Sequence, residues 1–250
     1  MNVAVGLQGK SYQMNTGFAI KMMLTSVVLL IAPYFYGQDV DGLMKKVKAK
    51  LELVNDYKAE GELKTDVAFM KVPASKVSVY YKKPNKFKIR KEDGISIVPK
   101  GGMSINLNSL FAGNEYTMIA GGSSSVGGKP VVIVKMLPLK EENDVVLSTL
   151  YIDEKEALIY KANTTTKTNG TYEMQMTYGK FAAWGLPDKV LFSFNTKDYK
   201  LPKGVTFEYE TDQKPDVASK PKSTKGTVEI TYQKYSINKG IQDDVFNVSN

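Results

Sequence analysis

Apolar positions along this chain follow two periods. Leu43, Val47, Leu51 and Val54 recur at helical spacing, with Lys45, Lys46, Lys48 and Lys50 among them. That spacing draws one apolar stripe along a helix, and Asp41 stands where a side chain can cap its start. After Tyr57 the period becomes two. Val77, Val79 and Tyr81 alternate with Ser78 and Tyr80, and Phe87 and Ile89 alternate with Lys86, Lys88 and Arg90. Tyr172, Met174, Met176 and Tyr178 alternate with Glu173, Gln175 and Thr177. Val190, Phe192 and Phe194 follow, then Val205, Phe207 and Tyr209, and finally Val228, Ile230 and Tyr232. Strict alternation puts one face of a strand in a core and the other in water, which is the habit of antiparallel sheets.

Turn-forming pairs punctuate these runs: Pro84-Asn85, Asp93-Gly94, Asn169-Gly170, Pro202 to Gly204, and Asn238 to Gly240. Each supplies a residue suited to a tight reversal. Most strands have no helical pattern between them, so a parallel βαβ sheet is excluded. The expected fold is mainly β (α+β): a large antiparallel sheet curled into a barrel or half-barrel, with a few covering helices. Residues 95–125 are less regular, with a helical turn over Asn106 to Phe111. Ala120 to Gly128 reads as a flexible glycine-serine loop. Residues 211–226 read as a long polar, basic loop between two strands.

The beginning of the chain has a different character. Lys10 and Lys21 precede an apolar stretch from Met22 to Tyr36, and the first acid is Asp39. A basic flank before about fifteen apolar residues has the shape of a secretory signal peptide and falls short of the roughly 20 residues of a membrane span. Residues 1–37 are therefore expected to be a signal peptide, and 38–250 one domain.

Composition narrows the chemistry. The chain of 250 residues has no cysteine and no histidine. Thiolate nucleophiles, Cys/His zinc sites and imidazole-based triads are all removed by that fact. A formal net charge of +8 favours anionic partners without naming one. GGSSSVGGK at 121–129 imitates a phosphate loop, but Ser123 stands where glycine is needed, Pro130 follows Lys129, and PVVIVK continues as a strand. Asp153, Glu154 and Glu156 are a cluster of acids between two strand runs, and a solvated turn accounts for them. Neither a catalytic residue nor a metal or other cofactor is expected, and binding is the function left.

The run LMKKVKAKLELVNDYKAEGEL followed by YYKKPNKFKIRKEDG resembles the LolA/LolB family of outer-membrane lipoprotein carriers. Tyr57, Ala59, Gly61 and Leu63 match its first strand, Lys83-Pro84-Asn85-Lys86-Phe87 the entry to its third, and Asp93-Gly94 the turn after it. The tail YQKYSINKGIQDDVFNV matches the last strand and an Asp-x-x-Phe pattern, here Asp243 and Phe246. Two positions depart from the family: Lys83 stands where the soluble carrier has arginine, and ISIVPKGGMSINL replaces an aromatic pair after Asp-Gly. The resemblance implies a half-barrel holding acyl chains, and a periplasmic protein of a Gram-negative, Bacteroidetes-like bacterium. It also admits an envelope sensor or scaffold of the same fold that binds a protein partner.

A carrier needs an apolar interior. The expected lining is Val79, Tyr81, Phe87, Ile89, Leu150, Ile152, Tyr160, Met174, Met176, Phe192 and Phe194, though a bulge would exchange the two faces of a strand. Flexible methionines suit variable apolar partners, and equally they fill gaps in an ordinary core. Lys83, Lys86, Lys88 and Arg90 are the expected contacts to headgroups or a partner, each contributing about 1 kcal/mol at an anionic surface. The expected partners are lipid or lipoprotein acyl chains, a transient membrane contact and an envelope protein. No nucleic acid is expected, and the state is a monomer.

Overall fold

The structure, a computed structural model, describes residues 9, 39–67, 70–91, 111, 115–140, 144–168, 170–195 and 225–247. The chain divides into two compact units, 1–37 and 38–250, and the elements below belong to the second. It begins with a helix, α1 (Val40–Glu52), whose cap is Asp39 and not Asp41: the Asp39 carboxylate accepts the Gly42 amide at 2.8 Å. Leu43, Met44 and Val47 are its buried residues, and Val54, just past its end, is buried as well.

Ten strands follow: β1 (Asp56–Val67), β2 (Met70–Lys82), β3 (Lys86–Lys91), β4 (Tyr116–Val126), β5 (Lys129–Pro138), β6 (Val145–Asp153), β7 (Leu158–Thr166), β8 (Gly170–Thr177), β9 (Lys189–Asn195) and β10 (Lys225–Ile237). They form one antiparallel sheet in the order β3-β2-β1-β10-β9-β8-β7-β6-β5-β4. Every neighbouring pair except β1–β10 is consecutive in the chain. The sheet is open, with β3 and β4 at its two edges. Register shifts interrupt the β1–β10, β1–β2, β4–β5 and β6–β7 ladders, and shifts of this kind bend a sheet.

At the β1–β10 shift sits Gly61. A Cβ there would lie 2.4 Å from the Thr231 carbonyl oxygen, so the close approach of these two backbones requires glycine. The expected loop Ala120 to Gly128 is instead the second half of β4 and a Gly127-Gly128 turn, both glycines at positive φ. Pairing with β5 makes a strand of a segment whose own side chains carry little strand signal. The turns at Asp93-Gly94 and Pro202 to Gly204, the strand at 205–209, residues 211–224 of the expected 211–226 loop and Asn169 lie outside the described residues, while Lys225 and Gly226 of that loop instead begin β10.

Asn238, at φ 54, ties the end of β10 to the end of α1. Its side chain accepts the Asn55 amide at 2.7 Å and donates to the Leu53 carbonyl at 2.8 Å. Its own amide reaches the Asp56 carbonyl at 2.9 Å. In return the Asp56 carboxylate accepts the Lys239 and Gly240 amides, each at 3.1 Å. Asparagine tolerates the left-handed conformation that alanine resists. Asn238→Ala is therefore expected to lower stability by about 1–2 kcal/mol, and Asn238→Gly by less, since glycine loses the bonds but not the backbone fit. Urea unfolding midpoints of the three proteins check the order.

Candidate functional site

The apolar face of the sheet is assembled row by row across the strands. Val134, Leu150, Ala162, Met174, Phe192 and Val228 stand directly opposite one another in register from β5 to β10. At the other end of the sheet Tyr57, Tyr81 and Phe87 form a row across β1, β2 and β3, beside the row Ala59, Val79 and Ile89. Directly opposed positions share a face. Helix α1 lays Leu43, Met44 and Val47 into the same cluster. Phe192 packs its ring against Tyr172 at 5.2 Å and Phe194 at 5.7 Å.

Most of the expected lining lies on this face. Val79, Leu150, Ile152, Met174 and Phe192 are 0 % exposed, Tyr81, Ile89 and Met176 are buried, and Phe87 and Phe194 are half-buried against the cluster. The β6–β7 register shift at Ile152 puts Ile159 opposite it, and Ile159 joins the main cluster. Tyr160 is buried outside that cluster, its ring edge-on to Tyr178 at 5.3 Å with the Lys129 ammonium over it. Residues with no exposed surface touch no space as large as a water. Between α1 and the start of β7 the gap is ≈ 10 Å³, room for one water at most. A groove of ≈ 410 Å³ lies at the β8–β9 strands, where Tyr172 and the expected lining residue Phe194 stand among Asn163, Thr171, Glu173, Ser193, Asn195 and Lys225, so its walls are mixed polar and aromatic.

Tyrosines gather at the β1–β2–β10 end. Tyr57 stacks on Tyr81 at 5.4 Å and meets Tyr235 edge-on at 5.3 Å, while Tyr235 packs on Phe181 at 4.8 Å and Tyr232 at 5.1 Å. The Tyr235 hydroxyl donates to the Pro187 carbonyl at 2.9 Å. Burial raises the pKa of Tyr57, Tyr178, Tyr232 and Tyr235, and pushes that of Tyr81 to about 12, with Glu52 adding to the shift. The aromatic end of the core is thus closed and water-poor.

The basic residues have specific partners. Lys83 donates to the Glu52 carboxylate at 2.5 Å and to the Glu52 carbonyl at 2.9 Å, so it anchors the end of α1. Lys86, Lys88 and Arg90 share the outer face of β3, and Lys82 stands directly opposite Lys86. Lys82 thus completes the line that Lys83 was expected to join. All four contact the tail: Lys82 and Lys86 bond the Asp243 carboxylate at 2.7 and 2.9 Å, Arg90 donates to the Val245 carbonyl at 2.9 Å, and Lys88 donates to the Asn247 carbonyl. These donors hold Asp243 below the ordinary carboxylate range. Lys91 takes the other direction. It stands opposite Val77 on the apolar face, and burial lowers its pKa.

The acids at 153–156 form a turn. Asp153 accepts the Lys155 and Glu156 amides, each at 3.0 Å, so its carboxylate is spent on local structure. Among the described residues no cluster of acids could hold a metal ion, and no helix is long and apolar enough to cross a membrane.

No family model matches the sequence, and no curated protein matches it. Solved structures do. A domain from Vibrio parahaemolyticus, described as that of an outer membrane lipoprotein-sorting protein, aligns over 82% of this chain and 95% of its own, with a TM-score of 0.53 at 8% identity. A LolA superfamily protein from Nitrosomonas europaea aligns over 81% and 97%, with a TM-score of 0.47 at 10% identity. A DUF1329 family protein from Desulfovibrio piger aligns over 80% and 97%, with a TM-score of 0.45 at 13% identity. The chain has the fold of the lipoprotein-sorting domain. The open antiparallel half-barrel expected from the sequence is the architecture observed.

The tyrosine end generates a pH prediction. An acid whose folded pKa lies above its unfolded value of about 10 is favoured neutral, so its contribution to stability is complete below pH 10 and falls as pH rises toward the folded value. Stability is therefore expected to decline from about pH 10 toward 12, the value for Tyr81. Tyrosinate absorbance should rise in step with loss of far-ultraviolet circular dichroism for these tyrosines, and not before it.

Proposed function

We propose that this protein is an envelope carrier that binds lipid or lipoprotein acyl chains on the apolar face of its sheet, for delivery toward the outer membrane. The observation that carries the reading is the composition of that face. Eight or more strands turn long apolar side chains inward, with Met136, Met174 and Met176 among them, in the fold used by a lipoprotein-sorting domain. Residues 1–37 export the chain to the periplasm of a Gram-negative, Bacteroidetes-like bacterium, and the mature part works as a monomer.

Energetics set the mechanism. Each methylene moved from water to an apolar site gains about 0.8 kcal/mol, so two or three long acyl chains cannot cross an aqueous compartment bare. A protein interior that matches the membrane loads and unloads near balance, and no nucleotide or catalytic group is required. The described inner face is closed, so loading proceeds with repacking of side chains. Methionine has the rotatable bonds for it. Val79, Tyr81, Ile89, Leu150, Ile152, Met174, Met176 and Phe192, with Phe87, Phe194 and Tyr160 at the margins, form the wall. Lys86, Lys88 and Arg90 face headgroups, while Lys83 is held by α1.

Native mass spectrometry of the purified protein is expected to show co-purifying lipid, and the delipidated protein to take up a fluorescent fatty acid. Protein that is empty and takes up none would oppose the reading. Phe192→Ala separates a carrier from a solid core. It is expected to cost about 3–5 kcal/mol in either case. In a carrier the new space also changes fatty-acid affinity, whereas in a solid core only stability falls.

A second reading, a scaffold that binds a protein partner, is favoured by the β4 side of the sheet. Ile119, Leu137, Leu139 and Val146 are exposed there, and Tyr116 to Gly128 contains no charged residue. An uncharged edge strand is a template for pairing. One protein retained from envelope extract by the delipidated chain, and lost on Ile119→Lys, would support this reading over the first.

A further inference from the structure

The β2–β3 corner carries a line of cations whose occupant in this structure the carrier reading leaves unexplained. Lys82, Lys86, Lys88 and Arg90 form a line of cations on the outer face, with Lys82 opposite Lys86 and Tyr80 opposite Lys88. Alternate residues of β3 stand about 6.6 Å apart, so the line is a repeated array of charge and not a single point. Arg90 also lies over the Tyr80 ring at 5.6 Å, which fixes its guanidinium against the sheet.

What occupies the line is the chain's own tail, whose hydrogen-bonding atoms there are all oxygens. Lys82 donates to the Ile241 carbonyl at 2.9 Å and to Asp243 at 2.7 Å, Lys86 takes the other Asp243 oxygen at 2.9 Å, and Arg90 and Lys88 take the carbonyls of Val245 and Asn247. Phe246 lies beneath the Lys86 ammonium, 6.0 Å from ring centroid to nitrogen. The Asp243 carboxylate, bridging two lysines, is a built-in anion at a site whose donors suit any oxyanion. The pairs are exposed, with side-chain exposures of 36% for Lys82, 41% for Lys86 and 62% for Asp243. Exposed pairs are individually weak, and a weak resident can be displaced by a surface that offers many charges at once.

We infer that Lys82, Lys86, Lys88 and Arg90 form a binding stripe for the phosphate groups of an anionic lipid surface, and that the tail 241–247 competes for it through Asp243. The inference rests on the carrier reading for its choice of a lipid surface as the source of phosphate. The tail and the bilayer exchange places on the same nitrogens, so the protein in solution keeps its cations covered and exposes them where it meets phosphate.

Binding of the full chain to phosphatidylglycerol vesicles at low salt tests this, against Asp243→Asn and a chain ended after Ile241. All three share the first 241 residues, so the comparison isolates the tail. Asp243→Asn is expected to bind about fivefold tighter, the worth of one basic residue at an anionic surface. The shortened chain should bind at least as tightly, and Lys86→Gln with Lys88→Gln should abolish both gains. Equal binding by the parent and Asp243→Asn would overturn the competition. An equal gain on phosphatidylcholine vesicles would overturn the role of anionic charge. Uptake of inorganic phosphate by Asp243→Asn without vesicle binding would assign the stripe to a soluble anion and overturn the lipid source. Fatty-acid uptake by the same proteins is read separately: its absence from every form overturns the carrier reading, while the vesicle comparison alone decides the stripe.

Discussion

The pairing of β1 with β10 is the constraint on which the rest of the structure depends. Every other neighbouring pair of strands is consecutive in the chain. Without β1–β10 the molecule would be a three-stranded piece, β1 to β3, and a seven-stranded piece, β4 to β10. Their union brings together residues about 160 to 180 positions apart, from Asp66 opposite Thr227 to Tyr57 opposite Ile237. Closing so long a loop costs entropy that only the finished interface returns. The interface is correspondingly specific. Gly61 permits the backbones to approach, and Asn238 and Asp56 tie the strand ends to the end of α1. The continuous inner face exists because this register aligns the apolar side chains of both pieces.

How legible this was in the sequence depends on which force decides each element. Strands β2, β3, β8, β9 and β10 could be read from alternation because one face of each is buried and the other wet, as with Tyr172, Met174 and Met176 against Glu173 and Gln175. In β4 that signal fails. Gly121, Gly122 and Ser123 to Ser125 have almost no side chain to alternate, and the strand exists because β5 supplies its hydrogen bonds. Periodicity also assigned Tyr160 to the inside, but a register shift next to it gives that place to Ile159. A bulge is a backbone event with no fixed residue signature, so parity can be read along a strand only as far as the next one. The helix cap moved from Asp41 to Asp39 for a milder reason: both are good caps, and the choice turns on which backbone leaves the helix first.

The basic residues show a different limit. Lys82 and Lys83 are adjacent, so they point to opposite sides of the strand end, and composition cannot tell which one aligns with Lys86, Lys88 and Arg90. Only the β2–β3 register does, and it chooses Lys82. Nor could the pattern show that Asp243, part of a short tail motif, crosses back to meet them. Lys91 is the converse case. It continues the alternation of β3 onto the apolar face, where a charge contradicts the pattern, and its lowered pKa records the cost of that position.

The two edges of the sheet then explain each other. An edge strand exposes unpaired backbone groups and invites pairing unless something blunts it. At β3 the blunting is thorough, with Lys86, Lys88 and Arg90 along its outer face and a tail laid over them. At β4 there is no charge at all, and the interruption at Ala120/Ser123 breaks the ladder partway along. One edge is thereby suited to meeting oxyanions and the other to meeting an apolar or backbone partner. A sheet with two unlike edges around one apolar face has a built-in polarity, and that polarity constrains what each edge can meet more strongly than the net charge, which carries no direction.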